Sequence, residues 1–144
     1  MRPIVFMALV LSACATARTI SRTTSFATPP STAIDIGGGV SQQVLRNGTG
    51  NIHPDAGSIV RVEFAGFRSD GSEFDSSRSR GKPQVYELSK VVRGLSRAIE
   101  HMVVGESSRF WIPADLAYGE SPEDARLPAG DVVFDIELLN IVRH

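Results

Sequence analysis

The sequence predicts an α+β domain in which an antiparallel sheet wraps one short amphipathic helix. Three observations carry that expectation. Several runs alternate apolar and polar residues, the pattern of strands with one face on a core and one toward water. The period changes once, between Gly94 and Val103, where Leu95, Ala98, Ile99 and Met102 recur at helical steps. The strands' apolar face and the helix's apolar stripe are complementary, so each is buried by covering the other.

Taken in order, Met1 to Ala13 holds one charge, Arg2, then an apolar run from Ile4 to Leu11 and the small residues Ser12-Ala13. This is a signal-peptide pattern, shorter than the ~20 residues a helix needs to span a bilayer. Leu11-Ser12-Ala13-Cys14 resembles a bacterial lipoprotein box, in which the cysteine is acylated and becomes the mature N-terminus. Several acyl chains anchor stably where one holds marginally. By the same resemblance, Ala15 in place of aspartate favours the outer of two membranes. An ordinary secretory signal cut elsewhere and a buried N-terminal strand are the competing readings. Residues 14–39 are rich in Ser, Thr and Ala, contain Pro29-Pro30 and end in Gly37-Gly38-Gly39. Their isolated apolar residues keep no period, so a flexible tether is expected, holding the domain roughly 25–30 Å from the lipid.

The domain proper is expected over 40–144. Val40 to Arg46 reads as a strand, followed by turns at Asn47-Gly48-Thr49-Gly50 and Pro54-Asp55-Ala56-Gly57. Ile59 to Arg68 alternates, with Val60, Val62 and Phe64 on one face and Arg61 and Glu63 on the other. Asp70-Gly71 reverses the chain, and an aromatic and a carboxylate follow side by side, Phe74-Asp75, ahead of a polar basic loop. An apolar face beside a single acid marks a candidate pocket. Gln84 to Leu88 is a short strand, with Val85 and Tyr86 as its best β-formers. The helix follows, with Gly105 expected to end it. Ser107 to Ile112 is a strand stopped by Pro113, with Trp111 facing outward beside Arg109. Asp131 to Val142 is the longest strand, with Val132, Phe134, Ile136 and Leu138 inward.

Composition narrows the function. A chain of 144 residues, 42% hydrophobic, has room for one ordinary domain and a tail. A net charge of -1 without a Lys/Arg stripe argues against nucleic acid. His53, His101 and His144 are far apart and lack metal-ligand spacing, so no metal is expected. The one cysteine, Cys14, excludes an intrachain disulfide. There is no nucleophile elbow, phosphate loop or catalytic triad, and no cofactor is expected.

Phe74-Asp75, Val91-Val92-Arg93-Gly94-Leu95, Met102 to Glu106, Ile112 to Glu120 and Pro128 to Leu139 occur in one order and spacing. In these motifs the chain resembles the FKBP-type (FK506-binding) peptidyl-prolyl cis-trans isomerases, over roughly Val40 to Arg143. The resemblance implies a β half-barrel curled around the helix. It also implies rotation about X-Pro bonds in an apolar pocket, with no covalent intermediate. Phe64, Phe74, Val91, Leu95 and Phe134 would bind substrate, Phe74 and Phe134 as side walls. Val92 would offer its backbone N–H, and Tyr118 its hydroxyl, to substrate carbonyls; Asp75 would orient its neighbours. Clients would be proline-containing exported proteins, and FK506- or rapamycin-type macrolides are implied ligands. Long family members dimerise through a helical N-terminal domain absent here, so a monomer is expected.

Three departures are visible. Leu95 stands where the family has a tryptophan floor, and Phe64 where it has a tyrosine that tethers the acid. The loop from Tyr118 to Phe134 is acidic (Glu120, Glu123, Asp124) and one residue shorter. That loop normally overhangs the pocket. Reduced activity and weaker macrolide binding are therefore expected. The alternatives are a catalytically weak binding or chaperone module of the cell envelope, and a purely structural envelope lipoprotein.

Overall fold

A computed structural model describes residues 26–144. The expected signal peptide, Cys14 and the first part of the tether lie outside the described residues. Seven strands are present: β1 (Ile34–Asp35), β2 (Ser41–Arg46), β3 (Ile59–Arg68), β4 (Glu73–Ser76), β5 (Gln84–Glu87), β6 (Ser107–Ile112) and β7 (Val132–Arg143). One α-helix, α1 (Arg93–Glu100), lies between β5 and β6. All pairings are antiparallel, in the order β1-β2-β6-β7-β3-β4, and β5 also pairs with β3. The sheet is open. β3 is long enough to pair β5 along its first half and β4 along its second on the same edge, which brings Phe74-Asp75 beside Phe64 to Phe67.

The expected wrap of sheet on helix is what the core consists of. Leu95, Ala98 and Ile99 of α1, with Met102, are buried against Val60, Val62, Phe110, Ile112, Val132, Phe134, Ile136 and Leu138. The alternation of β3 and β7 thus decides which residues fill the interior. Gly105 does not cap the helix. α1 stops at Glu100, where the His101 N–H donates to the carbonyl of Ala98 and the Met102 N–H to that of Ile99. Gly105, at φ +88°, forms the later turn into β6. The β-branched pair Val103-Val104 and the need to reverse direction end the helix earlier than the glycine does.

The outer face of the sheet departs further from expectation. Phe67, Val133 and Trp111 lie in one row across β3, β7 and β6. Trp111 faces outward, yet it is only 6% exposed. The cause is the segment read as tether. Phe26 packs against Phe67 with ring centroids 4.8 Å apart and the planes tilted by 50°, and the Arg109 guanidinium lies 4.7 Å from the Phe26 centroid. Ala27, Pro29 and Trp111 line a small hollow beside it. β1 pairs with β2, and Gly37 to Gly39 all have positive φ. A Cβ at Gly37 would come 2.7 Å from Arg97 Nη1, so this glycine lets a loop pass close over an arginine. Residues 26–39 are therefore laid on the domain.

One buried polar network ties β2 to β6. Glu106 Oε1 accepts from Gln42 Nε2 (2.8 Å) and Ser108 Oγ (2.7 Å), and Oε2 accepts from the Val103 N–H (3.2 Å). Every donor faces a carboxylate oxygen. Glu106→Gln keeps the shape but points an amide N–H at the Val103 N–H. It should lower unfolding stability by about 1–2 kcal/mol in a urea titration. An unchanged midpoint would show that the network relaxes without loss.

Candidate active site

One cavity of about 230 Å³ opens between the sheet and the start of α1. It is lined by Phe64, Phe74, Asp75, Val91, Val92, Leu95, Tyr118 and Phe134, with Tyr86 and Lys90. All eight candidates named from the sequence therefore meet around one space. Each is delivered by a different rule of the fold. Phe64 and Phe134 are cross-sheet neighbours on β3 and β7, with ring centroids 6.3 Å apart. Phe74 stands edge-on to both Phe134 (5.7 Å) and Tyr118 (6.2 Å), forming the aromatic walls. Val91 and Val92 belong to the extended stretch entering α1, and Leu95, 9% exposed, lies beneath them on its first turn.

Two donors point to no partner among the described residues: the Val92 N–H and the Tyr118 hydroxyl. Burial pushes the Tyr118 hydroxyl above its ordinary pKa, and the negative Asp75 and nearby Tyr86 push it further the same way. It keeps its proton and remains a donor. Asp75 accepts from Arg80 Nη2 (2.7 Å) and Nε (3.3 Å), and Arg80 Nη1 donates to Gln84 Oε1 (3.2 Å). Its carboxylate is thus oriented although Phe64 has no hydroxyl to hold it. Asp75 in turn raises the Arg80 pKa, chiefly through these hydrogen bonds. Ser77 secures the end of β4: the Phe64 N–H donates to its Oγ (3.0 Å), its own N–H to the Phe64 carbonyl (2.9 Å), and its Oγ to Glu63.

Tyr86, legible in the sequence only as a β-former, and Lys90 join the eight in the lining. Tyr86 pairs with inward-facing Val60 in register, so alternation along β5 was an available signal. Its ring meets Phe64 edge-on at 5.9 Å, and burial raises its hydroxyl pKa. Lys90 lies on a 3₁₀ turn and pairs with Glu87 at 3.1 Å; it carried no sequence signal. Gly66 is a third omission: a Cβ there would come 2.7 Å from Phe74 Cζ and 2.9 Å from Phe134 Cε1. The acidic loop does not overhang the cavity, whose lining includes Tyr118 and Phe134 but nothing from between them. Glu120, Glu123 and Asp124 are instead surface residues, with Asp124 held by Arg126 at 2.8 Å. Among the described residues, no group of three or more His, Cys, Asp or Glu could hold a metal ion.

An aromatic niche with two unclaimed donors has the features of a site that binds by shape and hydrogen bonding. The comparisons with known proteins agree with that class. The family model for FKBP-type peptidyl-prolyl cis-trans isomerases matches residues 50–139, and the chain belongs to that family. It is 42% identical over 104 residues to the FKBP-type isomerase FkpA of Aeromonas hydrophila, covering 72% of this chain but 38% of that protein. It is 38% identical to FK506-binding protein 1 of Dictyostelium discoideum, covering 70% of this chain and 96% of the relative. A crystal structure of a peptidyl-prolyl isomerase from Pseudomonas syringae superposes with a TM-score of 0.70 at 32% identity, over 78% of this chain and 82% of that one. FkpA from Escherichia coli superposes with a TM-score of 0.73 at 31% identity, over 79% and 53%. The chain thus spans well under half of the Aeromonas FkpA.

Proposed function

We propose that this protein accelerates cis-trans rotation about X-Pro bonds of exported polypeptides, without a covalent intermediate. The observation that carries the reading is one apolar cavity with aromatic walls and two unclaimed donors, Val92 N–H and Tyr118 Oη. Rotation breaks amide resonance and meets a barrier of ~18–20 kcal/mol, so uncatalysed exchange takes tens of seconds or longer. The twisted amide is less polar than the planar one, so a cavity that excludes water favours it. Phe74 and Phe134 hold the proline ring while the preceding carbonyl swings, and the two donors fix the flanking carbonyls. Reaching milliseconds requires a factor of about 10⁴, or roughly 5–6 kcal/mol. Desolvation and two hydrogen bonds supply that order of energy.

The volume bears on ligand class. About 230 Å³ is below the roughly 300–1,000 Å³ of drug-sized sites. A proline and its neighbours fit it better than a macrolide, so weak binding of FK506-type compounds belongs to the proposal. An acylated Cys14 and a periplasm-facing outer-membrane location complete it, supported by the Leu11-Ser12-Ala13-Cys14 motif and by Ala15 after it. Labelling with a fatty-acid analogue, and its disappearance in Cys14→Ser, tests the anchor separately.

A protease-coupled assay on proline peptides is the decisive experiment. Tyr118→Phe should lower kcat/KM about tenfold, the worth of one hydrogen bond made to the rotating segment. Leu95→Trp, which raises the floor, should increase the rate. Leu95 and Phe64 are also what favours a second reading, a catalytically weak binding or chaperone module. Wild-type protein that leaves the rate at background would establish that reading instead.

The pH profile separates positioning from proton transfer. The raised Tyr118 and Tyr86 pKa values mean that the fold favours their neutral forms. That preference is intact below the unfolded value near 10 and is lost as pH rises through the folded one. The rate should therefore be flat from about pH 6 to 9 and stability should fall only above about 10. A bell-shaped profile centred near neutrality would contradict the positioning mechanism.

A further inference from the structure

A second hollow, of about 330 Å³, adjoins the first, lined in part by Leu88, Val91, Arg93, Arg97, Glu100 and Leu116. Val91 lines both spaces, so a chain leaving the proline cavity on that side passes over the second. Arg93 directly follows Val92, which lines the first cavity, and Arg93 and Arg97 are one helical turn apart on α1. Neither arginine has a carboxylate within ion-pair reach among the described residues, a state they share with Arg61, Arg68, Arg78 and Arg143, but they are the two arginines that line this hollow. Arg97 is half-buried, its guanidinium beneath the loop of Gly37 and Gly38. The one acid in the lining, Glu100, accepts from Ser96 Oγ (3.4 Å) and pairs with neither arginine. Two like charges on one face of a helix repel each other, and an anion bound between them relieves that repulsion.

We propose that this hollow is a second subsite of the isomerase, taking an acidic side chain of the client a few residues from its proline. The inference rests on the isomerase reading above. The apolar floor of Leu88, Val91 and Leu116 suits the stem of a peptide better than a free ion. The tether through proline supplies the local concentration that exposed ion pairs need. Arg93 and Arg97 are then specificity residues, acting on which clients are bound and not on the rotation itself.

The test uses a proline-peptide series carrying one Glu, Gln or Lys at each position up to about four residues either side of the proline, a reach of ~13 Å. At low salt, the full chain should turn over the best Glu peptide roughly fivefold faster in kcat/KM than its Gln counterpart, with Lys slowest. The ratio should fall toward one in Arg93→Gln/Arg97→Gln and in high salt, and invert in Arg93→Glu/Arg97→Glu. A variant that is merely misfolded lowers all peptides together and leaves the ratio in place, which would count against the subsite. Equal rates for Glu, Gln and Lys peptides at every position in wild-type protein overturn the subsite and leave the isomerase reading standing. Background rates with every peptide overturn both.

Discussion

Gly66→Ala is expected to lower isomerase kcat/KM by about 100-fold in a protein that still folds. Gly66 is buried in the middle of β3, opposite Asp75 on β4 and Phe134 on β7. The edges of Phe74 and Phe134 rest on its Cα, and a methyl group there would meet them at 2.7 and 2.9 Å. Real Cβ atoms do not approach ring carbons so closely, so one or both walls must shift. In the proposed function those walls hold the proline ring, and displacement by about 1 Å at a reacting centre is worth roughly 10²-fold in rate. The stability cost of the same overpacking is about 1–3 kcal/mol. Because the position is in a strand and its φ is not positive, no backbone strain is added. The measurement is kcat/KM beside thermal unfolding. A variant that retains near-wild-type kcat/KM would show that the walls need not stay where they are.

Gly66 also marks where the sequence stops being legible. The inward faces of β3 and β7 and the stripe of α1 were readable because burial imposes a period, and Val60, Val62, Ile136 and Leu138 could face only one way. The eight cavity residues were readable because motifs of fixed order carry them, and the fold brings them around one space. A glycine states only that a side chain is absent. What lies over it depends on three strands paired far apart in sequence. Trp111 fails for a related reason: alternation places it on the outer face, and nothing in its neighbourhood says that Phe26, Ala27 and Pro29 come back to that face. The Ser/Thr/Ala composition of residues 14–39 hides one aromatic whose partners, Phe67 and Arg109, are 41 and 83 positions away. Arg80 is legible only as part of a basic loop, although it holds Asp75 in the absence of a tyrosine at position 64. For Gly66 and Trp111 the missing information is a long-range approach that no local pattern encodes; for Arg80 it is which of several nearby basic residues the loop turns toward Asp75.

The same kind of approach sets the distance between the two donors of the site. Gly94→Ala is expected to destabilise the protein by about 3 kcal/mol and to weaken proline-peptide binding in whatever folded protein remains. On helix propensity alone the change should help, since alanine is better than glycine by about 1 kcal/mol in a helix. The packing decides otherwise. A Cβ at Gly94 would come 2.2 Å from Ile112 Cγ2, 2.9 Å from the Leu116 carbonyl oxygen and 3.2 Å from Leu116 Cβ. Ile112 is 1% exposed at the end of β6 and has nowhere to retreat, while the Leu116 carbonyl belongs to the backbone that leads to Tyr118. Val92, two residues before Gly94, offers the other donor, so any separation of α1 from residues 114–118 moves Val92 N–H away from Tyr118 Oη. In the proposed function, substrate carbonyls held by both donors would then be reached by one. Thermal unfolding should fall by roughly 10–20 °C for a domain of this size. Below that transition, peptide affinity should drop about tenfold, the worth of the one hydrogen bond lost. Equal loss of stability with unaltered affinity would mean that Gly94 serves the core alone and that the spacing of the donors is set elsewhere.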